Sequence, residues 1–349
     1  MHPEGNQTPR DLGYHFPAEW ENHASTWLSY PHNEVSWPGK IQSIFPYYHE
    51  FIKEIAKNEP VNINVLDEAM RTTVTDSLEK AGVNMSQIHF HLFPTNDAWC
   101  RDHGPAFVIN KKTKRKAVVS WKYNGWGGKY PADLDTRIPS RVAHLLGLPV
   151  FHPGIVMEGG SVDFNGAGTL ITTTSCLLHP NRNPGLSQQE IEKCLTDYYG
   201  VQQVIWLGDG IEGDDTDGHI DDLARFVNDD TVITMVEPNR GDHNHEPLKK
   251  NLEQLKTIRL PGDRPLTIVE IPMPRPLYYQ NQRLPASYAN FYICNTAAIV
   301  PTFRCPQDQQ AIDLLEKCFS DRPVMGIDSL EIIWGLGSWH CLSQQEPSI

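Results

Sequence analysis

Along the chain, short stretches that alternate apolar and polar residues recur in pairs and are rich in β-branched and aromatic side chains. The pairs read AFVINKKTKRKAVVSW (106–121), SVDFNGAGTLITTTS (161–175), LARFVNDDTVITMV (223–236) and NFYICNTAAIVPTF (290–303). Each has a turn-forming middle, such as Asn165-Gly166 or Asn228-Asp229-Asp230, so each predicts a β-hairpin. A stretch of helical spacing follows every pair: IPSRVAHLLG, SQQEIEKCLTDYYG, EPLKKNLEQLKTI and PQDQQAIDLLEKCF. Several of these end at glycine or begin after serine or proline, as helix limits should. A short apolar strand comes next: LPVFHP, QQVIWL, LTIVEI and PVMGID.

The predicted unit is therefore strand, strand, helix, strand, repeating every ~55 to 70 residues. The stretch VNINVL…EAMRTTVTDSLEKAG…IHFHLF (61–93) is expected to supply a fifth helix and its strands. No Ser/Gly-rich or charged linker divides the chain, which predicts one α/β domain over 1–349 built of stacked or radially arranged modules.

Composition narrows the function. The 349 residues are 39% hydrophobic and carry a formal net charge of -13, which argues against nucleic acid and suits a cationic substrate. No apolar run is long enough for a membrane span. The opening MHPEGNQTPRDLGYHF lacks a signal-peptide layout, so a cytoplasmic location is expected. The seven cysteines form no Cys-x-x-Cys pair and read as reduced thiols.

Chemistry gathers at equivalent places in the repeat. WCRDHGP, MEGG and GHIDD each stand just before a hairpin, and in radially arranged units such positions lie around one axis. Asp102, Glu158, His219 and Asp221 should then face one another, and the terminal His340-Cys341 can enter the same ring. His219 and Asp221 are two apart and would share the face of a strand, with Asp222 turned away. Cys100 would point away from Trp99, Arg101 and Asp102 in an extended stretch, leaving Cys341 as the better nucleophile. Asp102 and Asp221 could grip a planar cation from two sides, since a guanidinium matches carboxylate geometry. Trp99 could pack on its face, Cys341 attack its central carbon, His219 move the proton, and Glu158 position or share that proton.

Other chemistries fit less well. In GDDTDGHIDDLA, an EF-hand alignment on Gly218 puts Gly213 and Ala224 where Ca²⁺ needs oxygen ligands. A zinc hydrolase could draw on His89, His91, His243, His245 and Asp221, but neither histidine pair stands before a hairpin. GWGGK (125–129) lacks the Walker spacing of a phosphate loop and reads as a glycine-rich turn.

Six stretches in order, PAEWENHASTWLSYPHN (17–33), TNDAWCRDHGP (95–105), YNGWGGKYP (123–131), MEGGSVDFNGAGT (157–169), DDTDGHIDDLARFV (214–227) and GSWHCLSQQEP (337–347), resemble the agmatine deiminases. These belong to the bacterial peptidylarginine deiminase-like group of guanidine-modifying enzymes. The resemblance implies a five-bladed α/β propeller, no metal or other cofactor, and a homodimer. It implies Cys341 as the nucleophile of an amidino-thioether, His219 and Glu158 as acid–base residues, Asp102 and Asp221 as guanidinium-binding carboxylates, and Trp99 as the active-site tryptophan. The implied reaction converts agmatine and water to N-carbamoylputrescine and ammonia, a step towards putrescine. Alternatives are free arginine, peptidyl-arginine, or a non-catalytic propeller that binds cations; a free-arginine enzyme would need Arg101, Arg225 or another cation at the substrate carboxylate. Where the family usually has Gly-Gly-Asn followed by Ile or Phe, this chain has Gly337-Ser338-Trp339, which is expected to shorten a polar group beside the nucleophile and add bulk at the rim.

Overall fold

A computed structural model describes residues 7–349. Residues 1–6, which begin both the domain expected over 1–349 and the opening read for a signal peptide, lie outside the described residues. The fold is mixed α/β, and five of its small sheets share one pattern. In four, an antiparallel hairpin is followed by a parallel return strand: Ala106–Asn110, Arg115–Val119 and Val150–Phe151; Val162–Phe164, Thr169–Thr173 and Gln203–Leu207; Ala224–Phe226, Thr231–Val236 and Thr267–Pro272; Tyr292–Ile293, Ala298–Thr302 and Val324–Asp328. The four predicted hairpins and return strands are all present.

The helices follow the predicted stretches: Ile138–Leu146, Gln188–Tyr199, His245–Leu255 and Gln307–Glu316. Local chemistry explains the limits of Gln188–Tyr199. Ser187 accepts from the Glu190 N–H while Glu190 reaches back to the Ser187 N–H, a reciprocal cap that contributes about 1 kcal/mol. Gly200 at φ 68° ends the helix in the left-handed conformation that glycine adopts without strain. Ile191, Leu195 and Tyr199, spaced three to four apart, bury one face.

The fifth unit corrects the reading of 61–93. Its hairpin joins the two chain ends: Ser343–Pro347 runs antiparallel to His23–Ser29. Its helix is Ile41–Ile55, and Val61–Asn64 is its parallel return strand. The helix Glu68–Lys80 and the strand Ile88–His91 extend this sheet at its far edge. Ile41–Ile55 contains Pro46 yet buries Ile41, Ile44, Tyr48, Phe51, Ile52 and Ile55, an apolar stripe of helical period. So the terminal segment is a buried strand paired with the first strand of the chain, and it holds Cys341 in place immediately before it.

Candidate active site

The residue stretches that precede the inner strands of these sheets converge. Trp99–His103, Glu158–Ser161, His219–Asp222, Ser287–Asn290 and Ser338–Leu342 meet at one place. Two sequence arguments about them fail in detail. Cys100–His103 is a single helical turn and Ile220–Asp222 a 3₁₀ turn, so strand alternation applies to neither. Cys100 nevertheless faces apolar packing with Trp27, Phe107 and Val118, and burial pushes its thiol up to about 12. Asp222 does not turn away. Its Oδ1 accepts from Asn290 Nδ2 at 3.0 Å, and the same amide nitrogen lies 3.0 Å from Cys341 Sγ.

All six residues singled out by sequence come together, and Gly160 shows how tightly. A Cβ on Gly160 would stand 2.6 Å from His219 Nδ1, 2.8 Å from Asp102 Oδ1 and 3.1 Å from Asp221 Oδ2. Only glycine lets these three side chains close on one point. His219 Nδ1 is 3.7 Å from Asp102 and 3.9 Å from Asp221, and Cys341 Sγ is 3.5 Å from Asp221 Oδ2. Glu158 lies beneath His219, with Cys176 beside them: one donor atom from each of the three falls within 4.8 Å of the others. Trp99 stacks on Trp37, and Gly337 fits between the Trp99 ring and Cys341 Cβ.

The two facing carboxylates are held differently. Asp102 accepts from Trp126 Nε1 and from the Gly160 N–H, both at 2.9 Å. Burial and the neighbouring Asp221 push its carboxyl well above the usual carboxylate range. Burial acts on Asp221 in the same sense, but the hydrogen bond from His340 Nδ1 at 2.6 Å and that ring's charge prevail and hold it low. His219 is buried and pushed down to about 3, a neutral imidazole despite the pull of Asp221. Burial raises Glu158 in spite of Arg182 Nε at 2.7 Å. Burial, then Asp221, Asp222 and Asp102, raise the Cys341 thiol well above its ordinary value. Glu158 Oε2, both His219 nitrogens and Asp221 Oδ1 are buried without a protein partner. These are the atoms that could meet a planar cation.

A mouth adjoins this cluster and shares with it Trp99, beside Gly337 and Cys341, and Trp126, whose indole is on Asp102. Asp97 and Asp215 line it, and the hairpin Tyr278–Tyr279/Gln282–Arg283 borders it, with Tyr279 packed on Trp334 at a ring separation of 3.8 Å. Among the described residues no Lys or Arg lines it directly, though Lys129 pairs with Asp215 at 3.4 Å and Lys40 lies over the Trp334 ring. Arg101 is held by Glu19 and Gln345, and Arg225 by Glu19 and Asp163, so neither serves the mouth. The expected bulk at the rim is also absent. Trp339 is fully buried, stacked on Phe51 at 4.8 Å, and Ser338 is buried against Ser329 at 2.6 Å. The proposed zinc ligands stay dispersed: His91 bonds Asn62, His245 bonds the Glu237 carbonyl, and His243 is exposed beside Glu212.

Sequence reasoning passed over Asn290, Arg182, Trp126 and Glu19. Asn290 precedes the hairpin that begins at Tyr292, so the repeat itself carried its signal. GWGGK is the glycine-rich turn expected, and it places Trp126, at φ 54° and ψ 51°, with its indole on Asp102. A non-glycine residue in that conformation is strained, as often at functional sites.

The chain matches the Porphyromonas-type peptidyl-arginine deiminase family over residues 15–347. It is 36% identical to a putative agmatine deiminase of Legionella pneumophila strain Paris, across 98% of each chain. With the agmatine deiminase of Pseudomonas syringae pv. tomato it shares 34% identity, again across 98% of each. The structure of an agmatine deiminase of Enterococcus faecalis superposes with a TM-score of 0.92 at 28% identity, covering 100% of this chain and 99% of that one. Fold and sequence agree from end to end, and the chain belongs to the Porphyromonas-type peptidyl-arginine deiminase family.

Proposed function

We infer that this protein is a hydrolase that deiminates agmatine to N-carbamoylputrescine and ammonia, a step towards putrescine. The observation that carries this reading is the convergence of a thiol, an imidazole and two carboxylates, with Cys341 Sγ 3.5 Å from Asp221 and His219 3.7 Å from Asp102. A guanidinium between Asp102 and Asp221 supplies the positive charge that the buried thiol lacks, so substrate binding favours the thiolate. Cys341 Sγ then bonds the guanidinium carbon. His219, which takes up the thiol proton, returns a proton to one amino nitrogen; the C–N bond breaks and ammonia leaves. Water adds to the resulting amidino-thioether, His219 accepts its proton, and the C–S bond breaks to give the ureido product. Glu158, fixed by Arg182, steadies His219.

The tail of the substrate also fits. Asp97 and Asp215 line the mouth, and the nearby cations are already paired, Lys129 with Asp215 and Asp217 and Lys40 with Glu331, so the mouth suits agmatine's terminal ammonium better than the carboxylate of free arginine. The hairpin over the mouth disfavours a peptide chain. The repeated sheet pattern and the paired chain ends support a five-bladed propeller with one catalytic domain over 1–349. No helix among the described residues is long and apolar enough to cross a membrane, and we place the enzyme in the cytoplasm.

The test is release of ammonia and ureido product from agmatine, arginine and a blocked arginyl peptide in parallel, each with chelator and with Cys341→Ala. Turnover of agmatine alone is expected, lost in Cys341→Ala and indifferent to chelator. A fully active Cys341→Ala protein would end the reading.

A further inference from the structure

Behind the nucleophile a second histidine is clamped between two carboxylates. His340 Nδ1 meets Asp221 Oδ2 at 2.6 Å, and His340 Nε2 meets Glu19 Oε2 at 2.9 Å. All three residues are at most 6% exposed. The ring is thus held by both of its nitrogens, one against each carboxylate. Glu19 is itself immobilised: Arg101 Nη2 lies 3.1 Å away, Arg225 Nη2 3.0 Å, and the Ile293 N–H donates to it at 2.8 Å. The backbone of His340 is tied as well, its N–H to the Asn290 carbonyl at 3.2 Å and its carbonyl to Arg101 Nε at 3.4 Å. Asp221 is thus gripped through Oδ2, while its Oδ1 is buried with no protein partner.

We propose that His340, anchored by Glu19, is the positioning residue of the guanidinium site: it fixes the rotamer of Asp221 so that Oδ1 is presented to the substrate. The inference rests on the deiminase reading above. His340 touches no reacting atom in this scheme and acts only through Asp221. A doubly tethered imidazole resists rotation in a way that one hydrogen bond would not, and a misplacement of about 1 Å can cost ~10²-fold in rate. This accounts for the adjacency of His340 and Cys341: one helical turn delivers the nucleophile and, on its other side, the clamp on the carboxylate the nucleophile works beside.

The experiment compares His340→Gln with wild type by two readouts. The first is KM against kcat for agmatine. The second is the ratio of Cys341 inactivation rates by chloroacetamidine, a cation, and by iodoacetamide, which is neutral. Substitution should raise KM by at least about tenfold and lower the cationic-to-neutral ratio by a similar factor, as expected for loss of a charge-assisted contact worth about 1.4 kcal/mol. A purely structural role would lower the melting temperature and the titre of active sites but leave that ratio unchanged, and an unchanged ratio would overturn the proposal. Should His340→Gln fold poorly, the Asp221→Asn background decides. Adding the gentler His340→Asn to it should leave the ratio where Asp221→Asn alone puts it, and a further fall would show that His340 acts by another route. Wild-type protein that turned over no guanidine would sink the deiminase reading; wild-type turnover with an unchanged ratio in the variant would sink this proposal alone.

Discussion

The turns that carry Asp102 and Asp221 stand at equivalent positions of the repeat and face the same point, yet their carboxylates are opposite in character. Asp102 receives neutral donors, the Trp126 indole and the Gly160 amide, and is pushed up. Asp221 receives His340 and is held down. Repetition of the backbone fixes where the two groups sit; the side chains brought by neighbouring units fix which one is charged. Two like charges a few ångströms apart in a buried site repel strongly, and this division lets the empty site hold one negative charge where two would be costly. An incoming guanidinium then stabilises the second.

The comparison predicts unequal losses on neutralisation. Asp221→Asn should cost ~10³-fold or more in kcat/KM, because it removes the ionised contact and leaves His340 and Arg225 buried with less counter-charge, a class of change worth roughly 3–5 kcal/mol. Asp102→Asn keeps the shape but turns its NH2 towards one of the two donors, the Trp126 indole or the Gly160 amide, and the expected loss is nearer 10²-fold, about the strength of one charge-assisted hydrogen bond. Steady-state kinetics on agmatine decides it, and equal losses would refute the asymmetry. A further arm uses the thiol as reporter. Asp221 heads the charges that raise Cys341, and Asp102 follows after Asp222. Neutral alkylation by iodoacetamide at pH 8 should therefore quicken several-fold in Asp221→Asn and less in Asp102→Asn, as removal of each charge lets the thiol ionise more readily. The same substitution that abolishes turnover should make the cysteine more reactive.

Much of this was legible in the sequence because it follows from periodicity. Hairpin, helix and return strand repeat with enough contrast that four units and their pre-hairpin clusters could be placed, and with them Asp102, Glu158, His219 and Asp221. What escaped was whatever crosses between units. The fifth hairpin pairs residues some 320 positions apart, Leu28 with Ser343 and His23 with Pro347, and no local pattern announces such a pairing. Glu19 lies in a connecting segment, and its four partners come from distant parts of the chain. Arg182 reaches Glu158 from a loop after the hairpin. Asn290 is different: its position in the repeat matched the others, and it was missed because an amide does not stand out as reactive. Trp339 was misjudged for a related reason. Its neighbour Cys341 is functional, but the helical turn sends Trp339 into the core against Phe51.

A smaller effect tests what holds Asp102. The Trp126 indole donates to Oδ2 from a strained, left-handed backbone. Trp126→Phe keeps the wall of the mouth and deletes one hydrogen bond to a carboxylate. It should raise KM for agmatine by about 5- to 10-fold, the equivalent of ~1–1.4 kcal/mol, with little change in kcat. A large fall in kcat with KM preserved would mean that the indole acts on the chemistry and not on the carboxylate's placement.

The weakest signal is also the one that addresses the comparison most directly. A carboxyl whose folded value is raised stabilises the fold fully below its unfolded value near pH 3.9, and that stabilisation is lost as pH rises through the folded value. This is the case of Asp102. A carboxyl held low stabilises above about pH 3.9 and loses that contribution as pH falls through its folded value, which is the case of Asp221. Asparagine does not titrate. The melting temperature of Asp102→Asn relative to wild type should therefore climb as pH goes from about 4 to 7, while that of Asp221→Asn should drop as pH rises towards about 4 and stay nearly level above it. Each kcal/mol moves the midpoint of a chain this size by only about 2 °C, so the slopes against pH, and not the absolute values, are the quantity to measure. Slopes of the same sign would mean that the two carboxylates share one environment, and that the imidazole behind Asp221 does not set it apart.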